Sequence, residues 1–206
     1  MTIPARLAGL TPGDLDEDQR RLYADITGGP RAQGPRPFKL TDGSGALVGP
    51  FNAMLLQPAV GSALQGLGSA IRYRGVLPAR ARELAILVVA THWESEFELI
   101  AHQATGRAAG LSEEEMAAIA AGREPDLADA AERAAVRAAW ALVRTADLDD
   151  RQYPQALAEL GAAGIFELTT LVGYYATLAL QMRVFRVGAP AAPGDAGTAG
   201  PAQDRL

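Results

Sequence analysis

Apolar residues recur along the chain at three- and four-residue intervals, and glycine or proline interrupts them. No stretch alternates convincingly with a period of two, so the pattern predicts helices throughout. Leu15, Leu22 and Ile26 make a stripe over residues 13–27, where Asp14 is placed to cap a helix with an acidic first turn. Residues 28–50, rich in Gly and Pro, are predicted to be a long ordered loop. Helix resumes near Phe51, and Pro58 fits the first position of a helix running to about Arg72. Pro78 is expected to open the next helix. The run LAILVVA within it reads as a strand in isolation, but its Arg- and Glu-rich start favours helix.

A further helix is expected over 95–109, ending at Gly110 as a C′ glycine. Ser112 and Glu115 form a capping box for a short helix that ends at Gly122. Residues 126–145 predict a long helix with Trp140 on its apolar side. Helices over 149–160 and 163–187 follow. The tail, 189–206, has the low-complexity composition of a disordered segment. The expectation is one all-α domain over 1–188 plus that tail.

Composition narrows the picture. The 206 residues are 49% hydrophobic and 21% charged, a soluble globular balance. Net charge is −5 with no basic tract, so nucleic acid is not an expected partner. The longest uncharged apolar stretch, between Glu167 and Arg183, is broken by Thr169, Thr170, Thr177 and Gln181. It reads as a buried helix rather than a membrane span. The first residues contain no long apolar run, so no signal peptide is read and a cytoplasmic location is expected. There is no cysteine, which removes disulfides, thiolate catalysis and zinc–thiolate sites from these residues. Lys39 is the sole lysine and the only residue that Schiff-base chemistry could use.

The candidate chemistry lies in residues 82–112. Ser95, Glu98 and His102 stand at i, i+3 and i+7 and so share one helical face. Glu83 lies near the start of the preceding helix. It reaches His102 only if a tight turn near Trp93–Glu94 makes an antiparallel hairpin of favourable register. Simpler roles stay open. His102 fits ordinary packing, Glu98 can pair with His102 at i+4, and Glu83 can pair with Arg80 or Arg82. His92 suits the C-terminal end of its helix, where a cation is favoured. A metal held by His92, Glu98 and His102 lacks any standard ligand spacing, and none is expected. Tyr174 or Tyr175 could line a pocket, and Phe51 and Asn52 could close over a ligand.

The spacing Glu83–x11–Ser95–x2–Glu98–x3–His102 resembles the alkylhydroperoxidase-D-like (AhpD-like) proteins of the carboxymuconolactone decarboxylase family. Those proteins carry cysteines where Ser95 and Glu98 stand here. The Gly110-Leu111-Ser112 sequence and the acidic residues after it are also similar, and GPFNAML and LVGYYATLALQ resemble the family more loosely. Glu96-Phe97-Glu98-Leu99 resembles the decarboxylase branch, but Ile100 follows where that branch has its histidine. The resemblance implies an AhpD-like helical bundle, a small-molecule substrate and a homotrimer or homohexamer with sites near subunit interfaces. Without thiols, the dithiol peroxidase cycle cannot run on these residues. Proton transfer is the chemistry the remaining side chains offer. His102, whose side-chain type titrates near 6.5, Glu98 and Glu83 are the expected catalytic groups. No cofactor is expected. Ser95, His92, Tyr174 and Asn52 are the expected substrate-binding residues. The expected reaction is a decarboxylation, isomerisation or elimination on a small cyclic or unsaturated acid or lactone. A non-catalytic ligand-binding or oligomeric scaffold is the alternative.

Overall fold

The run Leu84–Ala90 settles its own conformation by enclosure. In a computed structural model, which describes residues 5–29 and 38–189, each of these seven residues is at most 2% exposed. They belong to α4 (Ala79–His92). A helix apolar on every side must be surrounded. Around it pack α5 (Glu96–Ala108), α6 (Glu113–Ala120), α7 (Ala130–Thr145) and α8 (Gln152–Phe185). On the other flank, α3 (Pro58–Arg74) packs against α1 (Glu17–Gly28), α2 (Pro50–Met54) and α8. Among the described residues the only β-pairing is an isolated antiparallel bridge between Thr41 and Leu47. The chain is all-α.

Helix ends follow local chemistry, with one shift from expectation. Asp16, not Asp14, caps α1. Its side chain accepts the Gln19 N–H at 2.9 Å, and the Gln19 side chain accepts the Asp16 N–H at 2.9 Å. Asp14 is drawn upstream instead, accepting the Thr11 hydroxyl at 2.6 Å. Pro78 stands at the N-cap of α4 rather than inside it. Ser112 and Glu115 close a reciprocal capping box on α6. Gly110 (φ 91°) and Gly122 (φ 70°) adopt the left-handed conformation that terminates a helix.

The start of α4 is pinned by charge. Arg80 lies 2.7 Å from both Glu115 on α6 and Glu132 on α7 and also donates to the Gly110 carbonyl. Glu167 of α8 is buried and accepts the backbone N–H groups of Val76 and, at 3.1 Å, Leu77. It thereby holds the connection between α3 and α4 against α8.

Gly161 (φ 67°, ψ 171°) breaks α8 into two helical pieces. The predicted break between 160 and 163 falls at that point. The apolar stretch departs from expectation in one respect. As part of a 34-residue helix it is long and apolar enough to cross a membrane by length and composition, yet only 28% of its most apolar window is buried. Leu168, Leu171, Leu178 and Met182 turn inward, whereas Phe166, Leu180 and Val184 are exposed. The stretch is therefore buried on one face only.

Of the predicted loop over 28–50, the described part is shorter than expected. α1 runs through Gly28, the Thr41–Leu47 bridge closes a turn, and α2 begins at Pro50. Residues 30–37 of that loop, and 190–206 of the expected disordered tail, lie outside the described residues.

Candidate active site

A three-residue turn brings the predicted residues together. Trp93 ends α4, and Glu94 adopts a left-handed backbone (φ 52°). The Glu94 N–H then reaches the Thr91 carbonyl at 3.1 Å and the Ser95 N–H reaches the Ala90 carbonyl at 2.9 Å. These bonds satisfy the last carbonyls of α4 and turn the chain back. Ser95 becomes the N-cap position of α5. The resulting helical hairpin has the register that places Glu83 against His102, with Glu83 Oε2 2.7 Å from His102 Nδ1.

This pair is enclosed. Glu83 is 1% exposed and His102 8%. Burial works to raise the pKa of Glu83. The interaction with His102, followed by the positive charges of Arg72 and Arg82, outweighs it and holds the carboxyl below its ordinary range. Arg82 Nε lies 3.8 Å from Glu83 Oε1, too far for a hydrogen bond, and both atoms are buried without one. Of the two expected partners for Glu83, Arg82 is therefore its neighbour, and Arg80 is committed to Glu115 and Glu132.

Glu98 is in a different electrostatic state. It is 2% exposed, and neither carboxylate oxygen has a hydrogen-bond partner. Burial pushes its pKa up to about 8, against a smaller opposing pull from the nearby Ser95 side chain, whose approach falls short of hydrogen-bond geometry. At neutral pH it is predominantly the un-ionised acid. It makes no ion pair with His102, although the two stand one turn apart. The partner of the histidine is Glu83.

Glu98 and His102 share the wall of one small cavity of about 50 Å³. Aromatic rings supply much of the rest, from Phe38, Phe51, Phe97, Tyr174 and Tyr175. The Tyr175 ring meets the His102 ring edge-on at 5.0 Å, and Tyr174 meets Tyr175 in the same way at 5.1 Å. Phe97 packs edge-on against Phe38 at 4.9 Å. Gly49 (φ 65°) lies against the Phe97 ring, where a Cβ would collide with it. Arg72 of α3 completes the charged lining.

Tyr174 thus lines the cavity, as do Glu98 and His102, with Glu83 directly behind the histidine. The other three expected binding residues stand apart from it. Ser95 faces a neighbouring cleft of about 190 Å³ with Trp93 and Arg183. His92 is exposed at the end of α4, its ring edge-on to Trp93. Asn52 is buried, but its carboxamide is used on the N-terminal segment: it accepts the Leu10 N–H and donates to the Ala8 carbonyl, each at 3.0 Å. Lys39 is exposed. Among the described residues no group of three or more His, Asp or Glu is arranged to hold a metal. Sequence reasoning passed over Arg72, Phe38 and Phe97 as lining residues. Arg72 and Phe38 come from segments distant in sequence from His102, and Phe97, although on α5 beside Glu98, reads there as an ordinary core residue.

Comparison with known proteins converges on the same fold. No curated protein matches the chain. The model of the carboxymuconolactone decarboxylase family matches residues 58–141, a span from the start of α3 into α7 that includes Glu83, Glu98 and His102. Three solved structures resemble it closely enough to show the fold. One is the debrominase Bmp8, as a cysteine-to-alanine variant in complex with 2,3,4-tribromopyrrole. It shares 14% identity over 94% of this chain and 96% of that one, with a TM-score of 0.70. The second is the AhpD core of an uncharacterized peroxidase-related protein from Ralstonia eutropha JMP134, at 12% identity over 91% and 93% of the two chains, TM-score 0.70. The third, from Agrobacterium tumefaciens, is a protein of unknown function associated by name with the antioxidant defence protein AhpD. It shares 22% identity over 68% of this chain and 96% of that one, TM-score 0.61. Residues 58–141 thus match the carboxymuconolactone decarboxylase family model, and the cysteine-free chain shares the all-helical fold of these AhpD-like structures.

Proposed function

We propose that this protein is a cofactor-independent enzyme that transfers protons on a small cyclic or unsaturated acid or lactone, by decarboxylation, isomerisation or elimination. The observation that carries the reading is Glu98. Where the family's peroxidases have a cysteine, this chain buries a carboxyl group with no hydrogen-bond partner in the wall of the cavity that His102 also lines.

The roles follow from the geometry. An ionised Glu83 accepts a hydrogen bond from Nδ1–H of His102, which fixes that tautomer and leaves Nε2 as the ring nitrogen able to accept a proton. His102 then removes a proton from carbon next to a carbonyl, and Glu83 stabilises the imidazolium that forms. Glu98, un-ionised at neutral pH, donates to the oxygen on which negative charge develops, or to the carbon left electron-rich when CO₂ departs. A pair of carboxyl groups whose environments push their pKa values apart is the arrangement that acid–base catalysis needs.

The test is a panel of small unsaturated acids and lactones, monitored by NMR for isomerisation and for loss of CO₂. A substrate should be turned over, and His102→Ala should slow that turnover by roughly 10²–10⁴-fold. Turnover unchanged by His102→Ala would remove the histidine from the mechanism.

One observation favours a second reading, a ligand-binding scaffold without catalysis. The cavity, at about 50 Å³, holds water molecules but not a ring, so its aromatic walls must shift to admit a substrate. Ligand binding without turnover, unaffected by Glu98→Gln, would support that alternative. Under either reading we propose a homotrimer or homohexamer. The exposed residues Phe166, Leu180 and Val184 on α8 support assembly, and a monomer mass in solution would contradict it.

A further inference from the structure

Arg72 is the only arginine that lines the cavity, among the described residues. It is half-buried near the C-terminal end of α3. Its one directional contact is with the adjacent ring of Tyr73, 5.9 Å from the guanidinium carbon. It makes no ion pair and no hydrogen bond among the described residues. A guanidinium carries five donors in a planar fork. No described residue accepts from this fork, and none of its nitrogens is sealed from solvent, so it is open to an acceptor on a bound molecule.

The charge balance points the same way. Among the residues that line the cavity Arg72 carries the one permanent charge, and Glu83 lies behind His102 with Arg82 beside it. Glu98 adds no negative charge while it is un-ionised. The cavity is one negative charge short of neutral, before His102 takes up any proton. A planar oxyanion on the ligand would supply that charge and would accept two parallel N–H bonds from the fork.

We propose that Arg72 is the anion anchor of this cavity, pairing with a carboxylate of the bound molecule and making a negative charge a requirement for entry. This deepens the reading given under Proposed function and rests on the same cavity. Arg72 is assigned a positioning role here: it holds the ligand end remote from the proton chemistry and fixes which carbon faces His102.

The experiment is calorimetric titration of the whole protein with crotonate, a four-carbon unsaturated carboxylate, and with crotonamide, its uncharged counterpart. Crotonate should bind at least tenfold more tightly than crotonamide. Arg72→Gln should weaken crotonate by roughly 10–100-fold, the range for a lost charge-assisted bidentate bond, and leave crotonamide unchanged. Arg72→Lys should recover part of the selectivity, since it keeps the charge but not the fork. Circular dichroism and thermal melting verify that both variants fold. If Arg72→Gln fails to fold, the Arg72→Lys titration decides, and selectivity identical to wild type would count against the anchor. The inference is overturned if wild type does not prefer crotonate, or if Arg72→Gln binds it as wild type does. His102→Ala separates the two proposals. Arg72-dependent crotonate binding that survives in His102→Ala supports the anchor even if no substrate is ever turned over, whereas turnover with no Arg72 dependence sinks the anchor alone.

Discussion

Replacing Glu98 by Gln keeps the shape of the un-ionised acid and removes its ability to ionise. In the unfolded chain Glu98 loses its proton near its ordinary value of 4.5, but in the fold burial delays this to about 8. Between those values the unfolded state binds fewer protons than the native state, so wild-type stability falls as pH rises through that window. Each pH unit withholds about 1.4 kcal/mol. Gln carries no such cost, so the variant should gain on wild type with increasing pH. The gain should widen by up to roughly 3 kcal/mol between pH 5 and pH 7.5 and level off above pH 8. Water reaching the carboxyl group would reduce the amplitude but not its sign. The assay is urea unfolding of both proteins at matched pH values, taking the difference in extrapolated stability. Because every other titrating group is common to both, the difference isolates Glu98. A gap that stays flat across this range, or narrows, refutes the account of Glu98 as a buried acid.

The other predictions concern neighbouring groups. Glu83→Gln should show the opposite pH trend, because the folded pKa of Glu83 is depressed. Its stabilisation is present above pH 4.5 and is lost as pH falls through the folded value, so a deficit on the order of 1–3 kcal/mol at pH 7 should shrink in acid, as urea unfolding would report. Glu167→Ala should cost about 1–3 kcal/mol by uncovering the N–H groups of Val76 and Leu77, and hydrogen exchange at Leu77 should accelerate. Glu94→Gly should stabilise the protein by up to about 1 kcal/mol in thermal melts. Glycine relieves the left-handed strain at φ 52°, and the exposed bridge to Arg183 that it removes contributes little.

The helices were legible because their ends are written locally. A capping box at Ser112 and Glu115, and glycines at 110, 122 and 161, need only the nearest few residues to act. The grouping of the candidate residues was legible where one element carries them. Glu98 and His102 fall on the same face of α5, and the spacing back to Glu83 carried the family signature. Which carboxylate partners the histidine was not legible, since helical spacing favours Glu98 and only the register of the α4–α5 hairpin brings Glu83 to Nδ1. Asn52 looked like a lid residue because it follows a long loop. Its buried carboxamide is committed to Leu10 and Ala8, contacts across 42 and 44 residues that no local pattern announces. Arg72 was hidden for the same reason. Nothing on α3 distinguishes it from Arg74 until the fold lays it against the cavity. The exposed face of α8 was misjudged because apolar residues on both sides of a helix do not reveal which side the rest of the chain covers.

An un-ionised Glu98 beside an ionised Glu83 paired with His102 is the proposed state of the site at neutral pH. Infrared difference spectroscopy of wild type, Glu98→Gln and Glu83→Gln across a pH titration tests it directly. One buried carboxylic-acid C=O band is expected at pH 7, fading with a midpoint near 8, absent from Glu98→Gln and retained in Glu83→Gln. A wild-type protein with no such band at pH 7, or a band that persists in Glu98→Gln, would contradict it.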